Sequence, residues 1–202
     1  MRFVLASGNA HKLAEFRAIL APHAVEPPPA GIELPLEGTE SFTTNTQTKT
    51  RALATHLRTQ NNDVFAIADD SGLEVEALGG APGVISSRYA GREGDDAANN
   101  ARLLVELAGL LRHDRRARFV CVLVCVPPDG DEIEVRGEWA GAIARARRGT
   151  SGFGYDPLFV PDGGERTVAE LAEAEKNRQS HRARAGQALL ERLAARAHEA
   201  PR

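Results

Sequence analysis

The order of strand-like and helix-like segments constrains this 202-residue chain more than any other feature of its sequence. Residues 2–6 form a short apolar strand pattern, and Ser7-Gly8-Asn9 interrupts it. Residues 10–21 then carry apolar side chains at helical spacing until Pro22. A chain that opens with a strand, a glycine-containing turn and a helix favours an α/β fold.

The same kinds of pattern continue along the chain. The predicted helices cover residues 41–60, 95–111, 167–173 and 180–197, and the predicted strands cover residues 64–68, 118–126 and 132–140. The last two strands read as a hairpin around Pro127-Pro128-Asp129-Gly130, and residues 149–161 as an irregular loop. We therefore expect an α/β protein with a mixed sheet, built as one domain or as two small lobes.

Composition and charge exclude several classes of protein. Hydrophobic residues make up 42% of the chain and the net charge is −3, which is typical of a globular protein and unlike a nucleic-acid-binding one. No apolar run approaches the roughly 20 residues of a membrane span. Cys121 and Cys125 are expected to be buried thiols in a reducing compartment. We expect a cytoplasmic protein with no nucleic-acid or membrane partner.

Arginine greatly outnumbers lysine in this chain, which has 22 arginines and only three lysines, Lys12, Lys49 and Lys176. Lysine is a compact point charge and arginine a planar fork, so positions that need the point charge would keep lysine. The alternative is three arbitrary surface residues. Their neighbours in the sequence decide between the two interpretations.

Ser7-Gly8-Asn9-Ala10-His11-Lys12 runs from the first strand into the first helix. Amide groups at a helix start, a glycine that lets a ligand approach the backbone, and a lysine in the first turn together favour phosphate binding. The alternative is an ordinary serine or asparagine cap.

Asp69-Asp70-Ser71-Gly72 stands where the strand at residues 64–68 is predicted to end. If the chain turns there, both carboxylates can reach one Mg²⁺, which prefers hard oxygen ligands and substrate phosphates. Glu37 and Glu40, in the preceding loop, could join them. The alternative is a simple aspartate–glycine turn.

Three further segments carry weaker signals. Asn45 and Lys49 share one face of a helix, where the alternative is a solvated surface. The run from Gly149 to Pro157 interleaves three glycines with Phe153 and Tyr155, which suits stacking on a nucleobase, although these aromatic rings could instead fill the core. His181 and Arg182 follow a plausible cap, Ser180, at a helix start, where a cation suggests an anionic or carbonyl-bearing ligand.

Taken together and in this order, these segments resemble the inosine triphosphate pyrophosphatase family, which hydrolyses non-standard purine nucleoside triphosphates. The matching segments are Ser7 to Lys12 with Glu15, Asp69 to Leu73, Ala77 to Val84, Gly152 to Phe159, and Glu175-Lys176-Asn177 with Ser180-His181-Arg182. They span nearly the whole chain, and all three lysines fall on matched positions.

The resemblance implies an elongated mixed α/β fold with two lobes around a central substrate cleft, and a homodimer. It implies Asp70 as the general base and as a Mg²⁺ ligand, with Glu37 and Asp69 completing the metal's surroundings. It implies that the phosphates of the purine nucleoside triphosphate contact Ser7, Gly8, Asn9, Ala10, His11 and Lys12, with Lys49 adding positive charge, and that Ser71 touches the substrate. It implies that the base contacts Phe153, Gly154, Tyr155, Asp156, Lys176, His181 and Arg182.

One position departs from the family pattern. Thr44 stands where the family usually has an acidic residue, which puts in doubt the stability of this threonine-rich helix and any contribution of the position to the metal's surroundings. Two other functions stay open: a nucleotide pyrophosphatase of different base preference, as in related enzymes that act on modified pyrimidines, and a nucleotide sensor that binds ITP without hydrolysing it.

Overall fold

The computed structural model describes residues 1–59, 63–128 and 130–199, with six strands and five α-helices among them. The strands are β1 Arg2–Leu5, β2 Ala24–Glu26, β3 Phe65–Val75, β4 Arg116–Val126, β5 Ile133–Ile143 and β6 Phe159–Pro161. The helices are α1 Ala10–Ile19, α2 Phe42–Thr59, α3 Asp96–Glu106, α4 Glu173–Gln179 and α5 His181–Glu199. Short 3₁₀ turns cover Glu76–Leu78, Gly83–Arg88, Arg112–Arg115 and Val168–Glu170.

The strands form one sheet in the order β2-β1-β3-β4-β5-β6. Strand β1 pairs in parallel with both β2 and β3, whereas β5 and β6 are antiparallel. The predicted mixed α/β fold is therefore confirmed.

The chain divides into two compact units. The first contains Met1–Asp70, Cys121–Gly137 and the chain from His181 onward, and the second contains Ser71–Val120 and Glu138–Ser180. The predicted arrangement of two lobes around a cleft stays a prediction.

In the first unit, both faces of β1 are covered. Phe3 and Leu5 belong to an apolar cluster with residues of α1 and α5, such as Phe16 and Leu189. Val4 faces a second cluster that includes residues of α2. A strand buried on both faces reads as a continuous apolar run, which is why residues 2–6 lack polar alternation.

The second unit has its own core. Trp139 and Phe159 lie in one apolar cluster with Leu103 of α3 and Tyr155 of the loop before β6. The Trp139 and Phe159 ring centroids are 5.8 Å apart in a tilted arrangement, which suits aromatic quadrupoles.

Helix α2 forms despite its threonines because their hydroxyls find partners within the helix. Thr46 donates to the carbonyl of Phe42 at 2.6 Å, and Thr50 donates to the carbonyl of Thr46 at 2.7 Å. Such bonds to the residue four positions earlier satisfy hydroxyls that would otherwise be buried without a partner. The predicted helix is confirmed.

Several predicted boundaries were wrong. Strand β3 does not end at Ala68 but continues to Val75. Helix α3 stops at Glu106, ahead of Gly109 at a positive φ of 84°, and not at residue 111. Within the helix predicted at residues 167–173, only Val168–Glu170 form a 3₁₀ turn, and Glu173 begins α4, a helix that the sequence pattern did not predict. Strands β2 and β6 were missed because three residues are too few for a periodic signal.

Two other expectations concern the cysteines and the membrane. Cys121 and Cys125 are buried free thiols, as predicted. No helix among the described residues combines the length and the apolar character that a membrane span requires. The predicted turn residue Asp129 lies outside the described residues.

Candidate active site

Two adjacent aspartates of β3 send their carboxylates to different neighbours. Asp69 is bonded to side chains of α1 and α5, and Asp70 is bonded to a side chain of α2. Successive residues of a strand point to opposite faces, so this difference follows from β3 continuing through both residues. The expected turn that would aim both carboxylates at one metal is absent at this point of the chain.

Asp70 is only 3% exposed and is held by Asn45. The Asn45 amide donates to Asp70 Oδ2 at 2.9 Å, and its carbonyl oxygen accepts from the Gly38 amide at 2.8 Å. Burial, with a smaller contribution from the negative charge of Glu37, raises the pKa of Asp70 to about 6. Asp70 is therefore poised to accept a proton near neutral pH.

Lys49 lies beside this carboxylate and is 6% exposed. Its Nζ donates to Glu37 Oε1 at 2.5 Å and to the backbone carbonyl of Asp69 at 2.9 Å. Burial lowers the pKa of Lys49, but the charges of Asp69 and Glu37 outweigh it and leave that pKa above its usual value. Lys49 is thus a buried, charged lysine.

On the other side of β3, Asp69 neutralises two cations. Asp69 Oδ1 lies 3.2 Å from Lys12 Nζ, and Asp69 Oδ2 lies 3.4 Å from Arg182 Nε. Arg182 Nη1 donates in turn to Glu15 Oε2 at 3.0 Å. The cation in the first turn of α5, which by the dipole rule suggested an anionic ligand, therefore has two carboxylate partners within the protein itself.

The turn from Ser7 to Lys12 is held by its own side chains. Ser7 Oγ accepts from the Asn9 amide at 3.2 Å. Asn9 Oδ1 caps α1 by accepting from the amides of His11 at 2.9 Å and Lys12 at 3.1 Å. The expected open amides at those two positions are thus engaged. At Gly8 nothing lies within 4 Å of where a Cβ would stand, so the backbone there is open to approach.

The predicted metal ligands do not form one carboxylate cluster. No set of three His, Cys, Asp or Glu side chains within the described residues is arranged to hold a metal ion. Asp69 serves as the counter-ion of Lys12 and Arg182, which leaves Asp70 and Glu37 as the oxygen donors next to each other. Thr44 is exposed, and its side chain makes its hydrogen bond with Ser41.

A second polar cluster lies within the second unit. Lys176 Nζ of α4 is 2.6 Å from Asp156 Oδ2 and 4.7 Å from the centre of the Phe153 ring. Asp156 Oδ2 also accepts from the Phe153 amide at 3.0 Å. Lys176 thus contacts both the carboxylate of Asp156 and the ring of Phe153, which belong to one loop.

Tyr155 plays a different part from the one expected. Its ring is 3% exposed within the core of the second unit, and its hydroxyl donates to the Ser86 carbonyl at 2.9 Å. The prediction that Tyr155 offers a face to a nucleobase is therefore wrong, because the ring anchors its loop in the core. Phe153 and Gly154 stay partly exposed.

Residues outside the predicted set also shape both clusters. The sequence pattern places Asn45 only on a helix face and Glu15 only in a segment that resembles the family. Asp96 and Asn100 of α3 were not singled out, yet they hold Gly154 by its amide at 2.6 Å and its carbonyl at 2.8 Å. The sequence signal that could have indicated such residues is a Glu or Asn at a helix position where the spacing predicts an apolar, buried residue.

The acids, amide and cations around Asp69 and Asp70 form the first cluster, which consists of Lys12, Glu15, Glu37, Asn45, Lys49, Asp69, Asp70 and Arg182. The fold and the first cluster together define a class: a mixed α/β protein with a buried aspartate of raised pKa and two nearby lysines. The comparison with known families is more specific. The model of the Ham1 family matches residues 3–192, and the chain belongs to that family.

Its relatives include curated enzymes and solved structures. The chain is 48% identical to the dITP/XTP pyrophosphatase of Nocardia farcinica, over 96% of this chain and 95% of that one. It is 41% identical to the dITP/XTP pyrophosphatase of Clostridium perfringens, over 95% and 97%. The Staphylococcus aureus Ham1 protein superposes with a TM-score of 0.82 at 36% identity, covering 97% of this chain and all of that one.

Proposed function

We propose that this protein hydrolyses non-standard purine nucleoside triphosphates, namely ITP, dITP and XTP, to the monophosphate and pyrophosphate, with Mg²⁺ as cofactor. Membership of the Ham1 family and the names of relatives that match nearly the whole chain support this reaction. The observation that carries the proposal is Asp70, a buried carboxylate whose pKa is raised to about 6 and whose charge interacts with Lys49 and Lys12.

The charges of the first cluster explain why a divalent cation would be needed. Lys12, Lys49 and Arg182 bring three positive charges, whereas Glu15, Glu37, Asp69 and Asp70 bring four negative ones when ionised. A triphosphate does not bind readily to a site with a net negative charge. One Mg²⁺ ion would reverse the sign.

The donor set fits that ion. Asp70 and Glu37 offer hard carboxylate oxygens, and burial, followed by the negative charge of Glu37, raises the pKa of Asp70. Mg²⁺ commonly takes one or two carboxylates and completes its shell with water and substrate phosphates. These two residues would hold the ion, which when bound supplies positive charge to the phosphate oxygens.

The chain's own residues supply the rest of the chemistry. A water molecule directed at the α-phosphorus loses its proton to Asp70, which Asn45 keeps oriented. Lys12 and Lys49 exchange part of their contact with Asp69 and Glu37 for contact with the phosphates, and so stabilise charge on the leaving pyrophosphate.

Base recognition would fall to Phe153, Lys176, His181 and Arg182, as the family resemblance implies. An oxo group at purine position 6 accepts hydrogen bonds, whereas the amino group of adenine donates them. Donors such as Lys176 therefore favour hypoxanthine and xanthine over adenine, since a mismatched polar group would be left without a partner.

The deciding experiment measures pyrophosphate release from ITP, XTP, dITP, GTP and ATP with Mg²⁺. The wild type is compared with Asp70→Asn and with Asp63→Asn, whose exposed side chain lies outside the cluster. We expect release from ITP, XTP and dITP that exceeds release from GTP and ATP by about a hundredfold. It should fall by at least about a thousandfold in Asp70→Asn only.

The other outcomes identify the alternatives. Pyrophosphate release without base preference, or with a preference for modified pyrimidine nucleotides, would support the proposed hydrolysis but contradict the proposed preference for non-standard purines. Binding of ITP without release would replace the enzyme with a nucleotide sensor. We also propose a homodimer, which sedimentation equilibrium of the wild type would test directly.

A further inference from the structure

A cavity of about 470 Å³ lies within the second unit, beside the end of β5 and the loop that follows it. Its walls combine apolar residues, among them Ile143 and Val160, with Arg115, Arg145 and Arg148. A volume of this size, with mostly apolar walls and a few converging polar groups, is typical of small-molecule sites. None of the residues assigned to the reaction lines it.

Arg115 is the unusual member of this wall because it is a cation only 3% exposed. Its guanidinium donates to the backbone carbonyls of Ile143 at 2.8 Å, Leu107 at 2.6 Å and Ala144 at 2.9 Å. All three acceptors are uncharged, and no carboxylate of the described chain forms an ion pair with it. Burial, and then the positive charge of Arg145, lower the pKa of Arg115. A buried charge normally has a counter-ion.

The two neighbouring arginines, Arg145 and Arg148, add positive charge to the wall and also donate to backbone carbonyls. Arg145 Nη2 donates to the Leu110 carbonyl at 3.2 Å, and Arg148 Nη2 donates to the Glu165 carbonyl at 2.6 Å. Arg148 Nε lies 3.5 Å from Glu170 Oε2, but its side chain is 46% exposed, so this pair is weak. Glu165 is the one acid among the described residues that line the cavity, which leaves the wall positively charged.

We propose that this cavity is a second ligand site, which binds a small organic anion with a phosphate or carboxylate group. The forks of Arg145 and Arg148 match either group in a two-point hydrogen bond, and the anion would offset the charge of Arg115. The cavity is several times larger than an inorganic anion, so the rest of the ligand would pack against Ile143 and Val160. This second ligand site is proposed independently of the hydrolysis reaction, because the two share no residue.

Methyl NMR of the whole protein with phenyl phosphate as the probe tests this site. The methyl signals of Ile143 and Val160 report on binding in the cavity. The methyl signals of Ile67, two residues before Asp69, report on binding at the first cluster. We expect saturable shifts at Ile143 and Val160 at millimolar probe, and about a tenfold weaker Kd in Arg145→Gln and in Arg148→Gln. Arg147→Gln is the matched control, since Arg147 is a neighbouring exposed arginine outside the wall. Arg115 itself is left intact because its carbonyl contacts support the fold.

Further probes define the ligand. Inorganic phosphate should bind more weakly than phenyl phosphate, because it has no apolar body, and uncharged benzyl alcohol should not bind. Benzoate with the same dependence on Arg145 supports the site with a carboxylate as its preferred group. The proposal is overturned if neither phenyl phosphate nor benzoate shifts Ile143 and Val160, if Arg145→Gln and Arg148→Gln bind like the wild type, or if benzyl alcohol binds as well as phenyl phosphate.

Discussion

Asn45 joins the candidate general base to the loop that carries Glu37. Its amide nitrogen donates to Asp70 Oδ2 at 2.9 Å, while the same side chain makes hydrogen bonds with both the amide and the carbonyl of Gly38. Asn45 is 5% exposed and lies in the first turn of α2. One side chain therefore fixes both the orientation of Asp70 and the position of the loop next to Glu37.

We predict that Asn45→Ala lowers kcat by about tenfold, because the base loses one hydrogen bond to its charged form. That hydrogen bond lowers the pKa of Asp70, so its removal raises the pKa further. Since the base acts when ionised, the acid limb of the pH–rate profile should move to higher pH, which steady-state kinetics between pH 5 and 9 would measure.

Gln47→Ala is the control for this variant, because Gln47 is on the same helix and donates to Glu134 on the protein surface. It should leave the profile unchanged. An Asn45→Ala enzyme with an unmoved acid limb would show that Asn45 supports the fold alone.

We predict that Asp70→Asn stabilises the metal-free protein while it abolishes activity. Folding raises the pKa of Asp70 from 3.8 to about 6, so stability is fully present below pH 3.8 and is lost as the pH rises through 6. An uncharged amide avoids this loss. At pH 7 in EDTA the variant should be more stable by about 2 to 3 kcal/mol, measured by urea denaturation, and the gain should vanish near pH 4.

Magnesium should act in the opposite direction on the same pair of proteins. Added Mg²⁺ should stabilise the wild type more than Asp70→Asn, because the ion binds an ionised carboxylate better than an amide. Equal stabilisation of both proteins would remove Asp70 from the proposed cation site.

The lysines illustrate what the sequence alone could predict. Each of the three is paired with a carboxylate: Lys12 with Asp69, Lys49 with Glu37, and Lys176 with Asp156. Their scarcity in an arginine-rich chain indicated that they were retained for a reason. The sequence could not reveal the partners, because Lys176 and Asp156 come from different elements and meet only through the packing of the second unit.

The path of β3 illustrates what the sequence concealed. Gly72 and the polar residues before it suggested a turn, yet the strand continues to Val75 because its backbone pairs within the sheet. Tertiary pairing overrides the local turn preference of aspartate and glycine. Because the strand continues, Asp69 and Asp70 point to opposite faces, and Asp69 pairs with Lys12 and Arg182. The predicted role of Asp69 in the surroundings of a metal stays a prediction.

We predict that Thr44→Glu stabilises the protein and leaves its activity unchanged. Ser41 Oγ already accepts from the Thr44 amide at 3.0 Å, and α2 has no acidic residue in its first turn. A glutamate at position 44 could accept from the Ser41 amide and complete a capping box, which favours the helix start by about 0.5 to 1 kcal/mol. Thermal unfolding would measure the gain.

Thr48→Glu is the matched control, since position 48 is also exposed but lies beyond the first turn of α2. It should give no such gain. A changed Mg²⁺ requirement in Thr44→Glu would mean that position 44 does lie near the cation.

Lys176→Met should destabilise the protein by about 3 kcal/mol, because it leaves the Asp156 carboxylate buried without its cation. Both side chains of this pair are less than 10% exposed, at 8% and 4%. The double variant Lys176→Met/Asp156→Asn should recover much of the loss, since an amide oxygen can still accept from the Phe153 amide without carrying charge. The exposed pair of Arg166 and Glu175 supplies the control, and Arg166→Met should change stability by less than about 0.5 kcal/mol. If the double variant is as unstable as Lys176→Met in urea denaturation, the cost comes from lost packing around Phe153 and not from the unpaired charge.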